Sequence, residues 1–171
     1  MKKSLLALSV AALAGCQTAP ADAPRATANL QPTKGSTVRG TANFLEVGGK
    51  VRVTAAVSGL KPNAEFGFHI HEAGDCSSGD GMSAKGHFNP HGKPHGHHGT
   101  MERHAGDMPN LKSDASGNAS LTVDLDVITV SPGTASIIGR GLIVHVQPDD
   151  YRSQPVGNAG ARSACAVIHR G

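Results

Sequence analysis

Apolar and polar residues alternate in short runs along most of the chain: Thr37 to Val47, Val51 to Val57, Glu65 to His71, Ala119 to Val127, Leu142 to Val146 and Ala164 to Ile168. Alternation sends successive side chains to opposite faces, so each run suits a half-buried β-strand. Gly48-Gly49 separates the first two runs, and Ser58-Gly59-Leu60-Lys61-Pro62-Asn63 follows the second. Both are turn chemistry for antiparallel neighbours. No stretch carries a helical period. Many short strands with Gly-rich connections predict an all-β fold, an antiparallel sandwich or barrel. Residues 73–110 break the pattern with Gly, Pro, His and charge but no period, and residues 147–163 form a shorter example. Loops of such length in a compact domain are functional or disordered, and something other than an apolar core must order them.

The first fifteen residues stand apart from the strands. Lys2 and Lys3 precede an apolar run from Leu5 to Ala14, which reads as an export signal and is well short of the ~20 residues of a spanning helix. The run ends Leu13-Ala14-Gly15-Cys16, which resembles the bacterial lipobox, so cleavage before a lipidated Cys16 is expected. Residues 16–25 then form a flexible, Pro-rich tether and residues 26–171 the domain. Gln17, rather than Asp, after the cysteine favours the outer membrane, with the domain in the periplasm of the cell envelope. Cys76 and Cys165 are an even pair in an exported chain; they suit a disulfide, with two free thiols as the other reading.

At 171 residues the chain has room for one domain. Glycine is abundant at 22, while four Phe and one Tyr are the only aromatics, so Val, Ile, Leu and Ala must fill the core. The formal charge of +3 is too slight and scattered to argue for nucleic acid, and the signal carries two of the basic residues away. Histidine changes the picture. Ten are present, and eight fall between His69 and His104. In Glu65 to His71, Phe66, Phe68 and Ile70 share one strand face, and Gly67, His69 and His71 the other. Two imidazoles at i and i+2 stand about 6–7 Å apart at Cα and can chelate one metal ion. Leu142 to Val146 repeats the logic, with Val144 inward and His145 outward.

Five segments, in order, resemble the copper/zinc superoxide dismutases over roughly residues 26–171. They are Gly-Phe-His-Ile-His-Glu at 67–72, Gly-His-Phe-Asn-Pro at 86–90, Glu-Arg-His-Ala-Gly-Asp at 102–107, Ile-Gly-Arg-Gly-Leu-Ile-Val-His-Val at 138–146, and Gly-Asn-Ala-Gly-Ala-Arg-Ser-Ala-Cys-Ala-Val-Ile at 157–168. The resemblance implies an eight-stranded Greek-key barrel with long metal-binding and electrostatic loops. It implies one copper ion on His69, His71, His87 and His145, and one zinc ion on His87, His95, His104 and Asp107, with His87 bridging. Four imidazoles suit copper, and three imidazoles with a carboxylate suit a closed zinc site. By the same resemblance Asp149 links His69 to His95 from outside the ligand set, and Arg162 overhangs copper as the binder of the superoxide anion. Arg162 and His87 are the catalytic candidates, for conversion of superoxide to dioxygen and hydrogen peroxide in defence of the cell envelope. A disulfide from Cys76 to Cys165 would anchor the segment carrying Arg162.

The competing reading is a non-catalytic copper/zinc-binding lipoprotein of the same fold. Such a relative is expected to lose a ligand or the arginine, whereas here all seven ligand positions and Arg162 are present. His91, His97, His98 and His169 are left over; the first three are solvated loop residues by default, or an accessory metal-capture site on the sharper view. Lysines that would complete a positive funnel are not assignable from the sequence. A homodimer is compatible with the resemblance.

Overall fold

The computed structural model describes residues 20–171; the expected signal at 1–15, Cys16 and the first part of the tether lie outside the described residues. The antiparallel strands are β1 (Arg25–Pro32), β2 (Arg39–Val47), β3 (Lys50–Ser58), β4 (Glu65–Phe66), β5 (Phe68–His71), β6 (Leu111–Lys112), β7 (Ala119–Leu125), β8 (Gly141–His145), β9 (Arg162–Val167) and β10 (His169–Arg170). A single 3-10 turn, Met82–Ala84, is the only helical element among the described residues. Two of the ten segments are continuations. β4 runs into β5 across Gly67, and β9 and β10 pair with β1 in one uninterrupted register, Gln31 opposite Cys165 and Ala26 opposite Arg170. The ten segments therefore make eight strands.

One ladder runs β5-β8-β9-β1-β2-β3-β7, and β4 pairs with β6. The Ser113–Ala119 bridge joins β6 to β7, so the sheet curls round and closes as a Greek-key barrel. The chain crosses between non-neighbours twice, from β3 to β4 and from β7 to β8. Inside, Leu30, Phe44, Val51, Val53, Phe66, Phe68, Ile70, Leu125, Leu142 and Val144 are buried with alanines of β1, β2, β3 and β9. Each large aliphatic or aromatic side chain contributes roughly 1.5–3 kcal/mol by leaving water.

The alternating runs all appear as strands, with ends shifted by up to two residues. β1 had no counterpart among them, because its inward positions are Ala26, Ala28 and Leu30, and two of these carry little hydrophobic signal. It also takes in Arg25, the last residue of the expected tether, and the Pro24 carbonyl already accepts the Glu46 N–H at 2.9 Å. β6 is too short to read from a pattern. The long loop differs in one respect from expectation: the core does help to order it. Phe88, Ala105 and Met108 are buried in the barrel's apolar cluster, and Ala84 packs with Ile143 and Cys165. The disulfide between Cys76 and Cys165 is formed, with Cα atoms 5.9 Å apart. Closing a loop of 89 residues restricts the unfolded chain by about 4–5 kcal/mol in the entropic account.

The β7–β8 crossover is fastened by Glu46, whose Oε2 accepts the N–H groups of Val130 at 2.8 Å and Ser131 at 2.7 Å. Burial pushes this carboxyl up, but the hydrogen bonds from Ser131 and Val130 outweigh it and hold its pKa below 4.5. A carboxyl depressed on folding stabilises above its unfolded pKa and loses that effect as pH falls through the folded one. Glu46→Ala is therefore expected to lower the unfolding free energy by about 1–2 kcal/mol at neutral pH, after allowance for solvent screening. Urea titrations of the two chains should converge as pH drops below 4.5.

Candidate metal centre

β5 presents Phe68 and Ile70 to the barrel and His69 and His71 to the outside, yet all four are fully buried. The outward face is not a solvent face. Residues 86–88 and 106 bond along the free edge of β5, through Phe88 N–H to Ile70 O at 2.8 Å and Ile70 N–H to Gly106 O at 3.0 Å. Asp149, from the 147–163 loop, closes over the outer side. His145 stands at the end of β8, where a bulge between Val144 and His145 shifts the register against β9. The two irregular loops thus fold onto one side of the barrel and bring His87, His95, His104 and Asp107 against the strand histidines.

Ring partners assign the tautomers. His71 donates from Nδ1 to Lys85 O at 2.8 Å, and His145 from Nδ1 to Gly160 O at 3.1 Å. Their Nε2 lone pairs then face each other at 3.4 Å. His69 donates from Nε2 to Asp149 Oδ2 at 2.8 Å, which leaves its Nδ1 buried without a partner. His87 Nε2 is buried and unpartnered as well. Four nitrogen lone pairs therefore converge on one point with no donor among them. A second convergence lies on the other side of His87. His95 donates from Nε2 to Asp149 Oδ1 at 2.9 Å, and its Nδ1 faces Asp107 Oδ1 at 3.0 Å. His87 Nδ1 stands 2.8 Å and His104 Nδ1 3.5 Å from the same oxygen.

In the first set such contacts are repulsive unless a cation sits at their centre, and around Asp107 either ring protons or a cation must lie between the nitrogens and the carboxylate. Ligands on a tetrahedral ion at 2.0–2.1 Å lie about 3.3 Å apart, which the spacings around Asp107 bracket. The groups His69, His71, His87, His145 and His87, His95, His104, Asp107 each bring their ligand atoms within 4.8 Å of one another, and all seven residues are buried. His87 belongs to both, with one ring nitrogen on each side. The donor sets thus fit a copper ion and a zinc ion, neutral nitrogens for the first and three nitrogens with a carboxylate for the second. Among the described residues no third group of this kind exists. His97 accepts the Gly99 N–H and stacks beside His98, and His91 is exposed, so the surplus histidines are not drawn together with them.

Electrostatics follow from burial. His87 and His145 are pushed down to about 3, first by desolvation and then by neighbouring His69. His95 goes the other way: burial opposes its charge, but Asp107 and Asp149 outweigh that and raise it to about 9. Asp107 is held well below the carboxylate range by His104, His87 and His95 against the burial penalty. Its Oδ2 accepts the N–H groups of His104 at 2.9 Å and Gly96 at 3.1 Å, which fixes the carboxylate from its own loop. Arg162, half-buried on β9, donates to the carbonyls of Gly81 and Lys85 beside the first set.

A family model described as Copper/zinc superoxide dismutase (SODC) matches residues 38–168. The chain belongs to the copper/zinc superoxide dismutase family. It is 44% identical over 148 residues to Superoxide dismutase [Cu-Zn] 2 of Aquifex aeolicus (strain VF5), spanning 84% of this chain and 86% of that protein. It is 44% identical over 141 residues to Superoxide dismutase [Cu-Zn] of Schizosaccharomyces pombe, spanning 78% and 90%. Among solved structures, the clock protein EA4 superposes with a TM-score of 0.78 at 40% identity, covering 90% of this chain and 98% of that one.

Membership in the superoxide dismutase family accounts for the ligand types. The supports around them include residues to which the sequence assigned no role. Asn110 brackets the Asp149 backbone, donating from Nδ2 to its carbonyl at 3.0 Å and accepting its N–H at 2.9 Å. Gln154 does the same for His95, with both bonds at 2.8 Å. Gly157 is the tightest. Its φ is +68°, and a Cβ there would lie 1.9 Å from Asp149 Oδ1 and 2.6 Å from His95 Nε2. Only glycine lets the loop pass over the carboxylate that links the two ligand sets. Its sole sequence signal was a place in the Gly-Asn-Ala-Gly stretch. Gly157→Ala is expected to part Asp149 from His95 and to weaken zinc binding by about 10–100-fold, as loss of a ligand's outer partner does. A competitive chelator titration checks this.

Proposed function

We propose that the protein converts superoxide to dioxygen and hydrogen peroxide, and that His87, shared by two buried ligand sets, carries the activity. The ligand atoms would be His69 Nδ1 and Nε2 of His71, His87 and His145 for copper, and Nδ1 of His87, His95 and His104 with Asp107 Oδ1 for zinc. When bound, copper supplies the one-electron redox change, and zinc supplies a fixed positive charge without redox chemistry. Two superoxide anions and two protons give one dioxygen and one hydrogen peroxide, so one electron passes between substrates and no other reductant is needed.

The chain's own part is capture, orientation and proton delivery. Arg162 is held by two backbone carbonyls, which leaves its guanidinium fixed in direction beside the copper set. A fixed cation in a recess both attracts and orients a small anion. His87 offers Nε2 as the atom that takes and gives a proton, while Nδ1 stays against Asp107. Asp149 holds His69 and His95 in their tautomers throughout. A binding protein without turnover finds no support, because no ligand and no arginine is missing. With metal-loaded protein, His69→Ala is expected to reduce superoxide consumption to the background rate, and Arg162→Leu to lower it about tenfold or more. Equal rates for His69→Ala and the parent chain would sink the enzymatic reading.

The same reading extends to location. A signal at 1–15, cleavage before Cys16, a diacylglycerol on its thiol and a tether over 16–25 would hold the domain, 26–171, in the periplasm on the outer membrane. There the enzyme would meet superoxide in the cell envelope, where oxidising conditions keep Cys76 and Cys165 paired. Cys16→Ser is expected to move the protein from the membrane pellet to the soluble periplasmic fraction without changing its specific activity.

A further inference from the structure

The fold begins close behind Cys16. Pro20 O accepts the Ala23 N–H at 3.1 Å, so the chain already turns at 20–23, and Pro24 O is held by the Glu46 N–H at 2.9 Å. Residues 17–19 lie outside the described residues, but covalent length bounds them. Four residue steps from Cys16 to Pro20 reach no further than about 14 Å. A compact domain of this size has a radius of gyration of about 15 Å. A lipid on Cys16 would therefore hold the domain on a tether shorter than the domain is wide, and the domain could not turn over on it.

The point where the tether joins then decides which end meets the bilayer. It joins at the Arg25 end of β1. At the same level lie the end of β2, with Leu45 opposite Arg25, and the β2–β3 turn, with Val47 opposite Lys50. The chain's last residues lie there too, with Arg170 opposite Ala26 and the Gly171 N–H on Arg25 O at 2.9 Å. Arg162 belongs to the other end. β1 runs from Arg25 to Pro32, a rise of about 23 Å, and the next residue, Thr33, donates from Oγ1 to Arg162 O at 2.7 Å.

The tethered end is also cationic. Arg25, Lys50 and Arg170 are exposed, and none of them forms an ion pair among the described residues. Arg52 beside them is taken by Asp124 at 2.8 Å. Glu46 turns away to the Val130 and Ser131 N–H groups, so the opposing charges left are Asp22 on the turn and the terminal carboxylate of Gly171. Val47 adds one exposed apolar side chain at the tip of the hairpin. Three free cations spread round one end, with little apolar area between them, complement a plane of fixed anions.

We propose that this end of the barrel rests on anionic phospholipid headgroups, with Arg25, Lys50 and Arg170 against the lipid phosphates, so that the tethered domain holds its Arg162 end away from the bilayer. The inference rests on the proposed lipid anchor at Cys16. One lysine or arginine near an anionic surface changes partitioning about fivefold, so three give about 100-fold, less the effect of the two carboxylates.

With Cys16 acylated and Cys76 tied to Cys165, a Val47→Cys or Lys61→Cys chain offers one free thiol for a fluorophore. Lys61 is exposed and borders the same groove as Arg162, at the far end. On vesicles of phosphatidylglycerol and phosphatidylethanolamine that carry a headgroup spin label, the Val47→Cys label is expected to be quenched several-fold more than the Lys61→Cys label. High salt, or the combined Arg25→Gln, Lys50→Gln and Arg170→Gln changes, should shrink that difference. Equal quenching of the two labels would overturn the proposal, as would a difference that neither salt nor the combined changes reduce.

A second series needs no anchor. The signal-free Cys16→Ser chain should float with phosphatidylglycerol vesicles at low salt and not with phosphatidylcholine vesicles, and the combined variant should bind about tenfold more weakly or less. No preference for phosphatidylglycerol would overturn the proposed surface. A parent chain whose Cys16 peptide carries no lipid by mass would overturn the anchor and the tethered orientation with it, and the flotation series would still decide whether this end meets anionic lipid.

Discussion

Seven candidate ligand side chains are buried together around two points, and the two long loops fold over the barrel to enclose them. An unpaired buried nitrogen or carboxylate is costly, and two such sets sharing a ring cannot be relieved by rotating any one member. Asp149 is the reason. By taking Nε2–H from both His69 and His95, it forces Nδ1 of each ring inward, one to each set. Asp107 completes the constraint from the other side, as the single oxygen on which three ring nitrogens close. Cations relieve both sets at once, so metal binding and loop order are one equilibrium.

The barrel could be read from alternation because its strands obey a period of two with Val, Ile, Phe and Leu inside. Where alanine does that work, as in β1, the signal fades although the burial is complete. The ligands on strands were legible for the same reason: His69 and His71 sit at i and i+2, and His145 alternates with Val144. Periodicity placed these histidines on the outward face, but it cannot show that a loop will return over that face. Apart from Asp149, residues that hold these histidines from outside were silent. Asn110 and Gln154 lie in no motif, and Gly157 only opens the Gly-Asn-Ala-Gly stretch, because their roles depend on where a distant segment crosses. The positive φ of Lys85, +64°, is a property of backbone angles and leaves no trace in composition.

Composition alone would treat the eight clustered histidines as one metal-binding tract. The structure separates them by what their second nitrogen does. His69, His71, His87, His95 and His104 are buried; His69, His71 and His95 have the nitrogen outside the metal sets fixed by a carbonyl or carboxylate at 2.9 Å or less, and His87 turns one nitrogen to each set. His97 spends its Nδ1 on a neighbouring backbone N–H, and His91 lies exposed on a turn. Density in sequence is therefore a poor guide to coordination here. Orientation by a third group is the better one.

The two halves of the site are anchored by different means. The zinc-side ligands depend on Asp107, Asp149 and Gln154, polar contacts that gain their full strength only when the central charge is balanced. Arg162 depends on none of these. It is placed by β9, by the covalent tie from Cys165 to Cys76 three residues on, and by the Gly81 and Lys85 carbonyls. Loss of a metal would then loosen the zinc loop before it displaced the arginine, because local stability follows the contacts each segment keeps. The halves meet at one atom, Lys85 O, which accepts from a copper-set histidine and from the arginine together. That peptide is a shared support, so whatever displaces it acts on the His71 ring and the Arg162 guanidinium together.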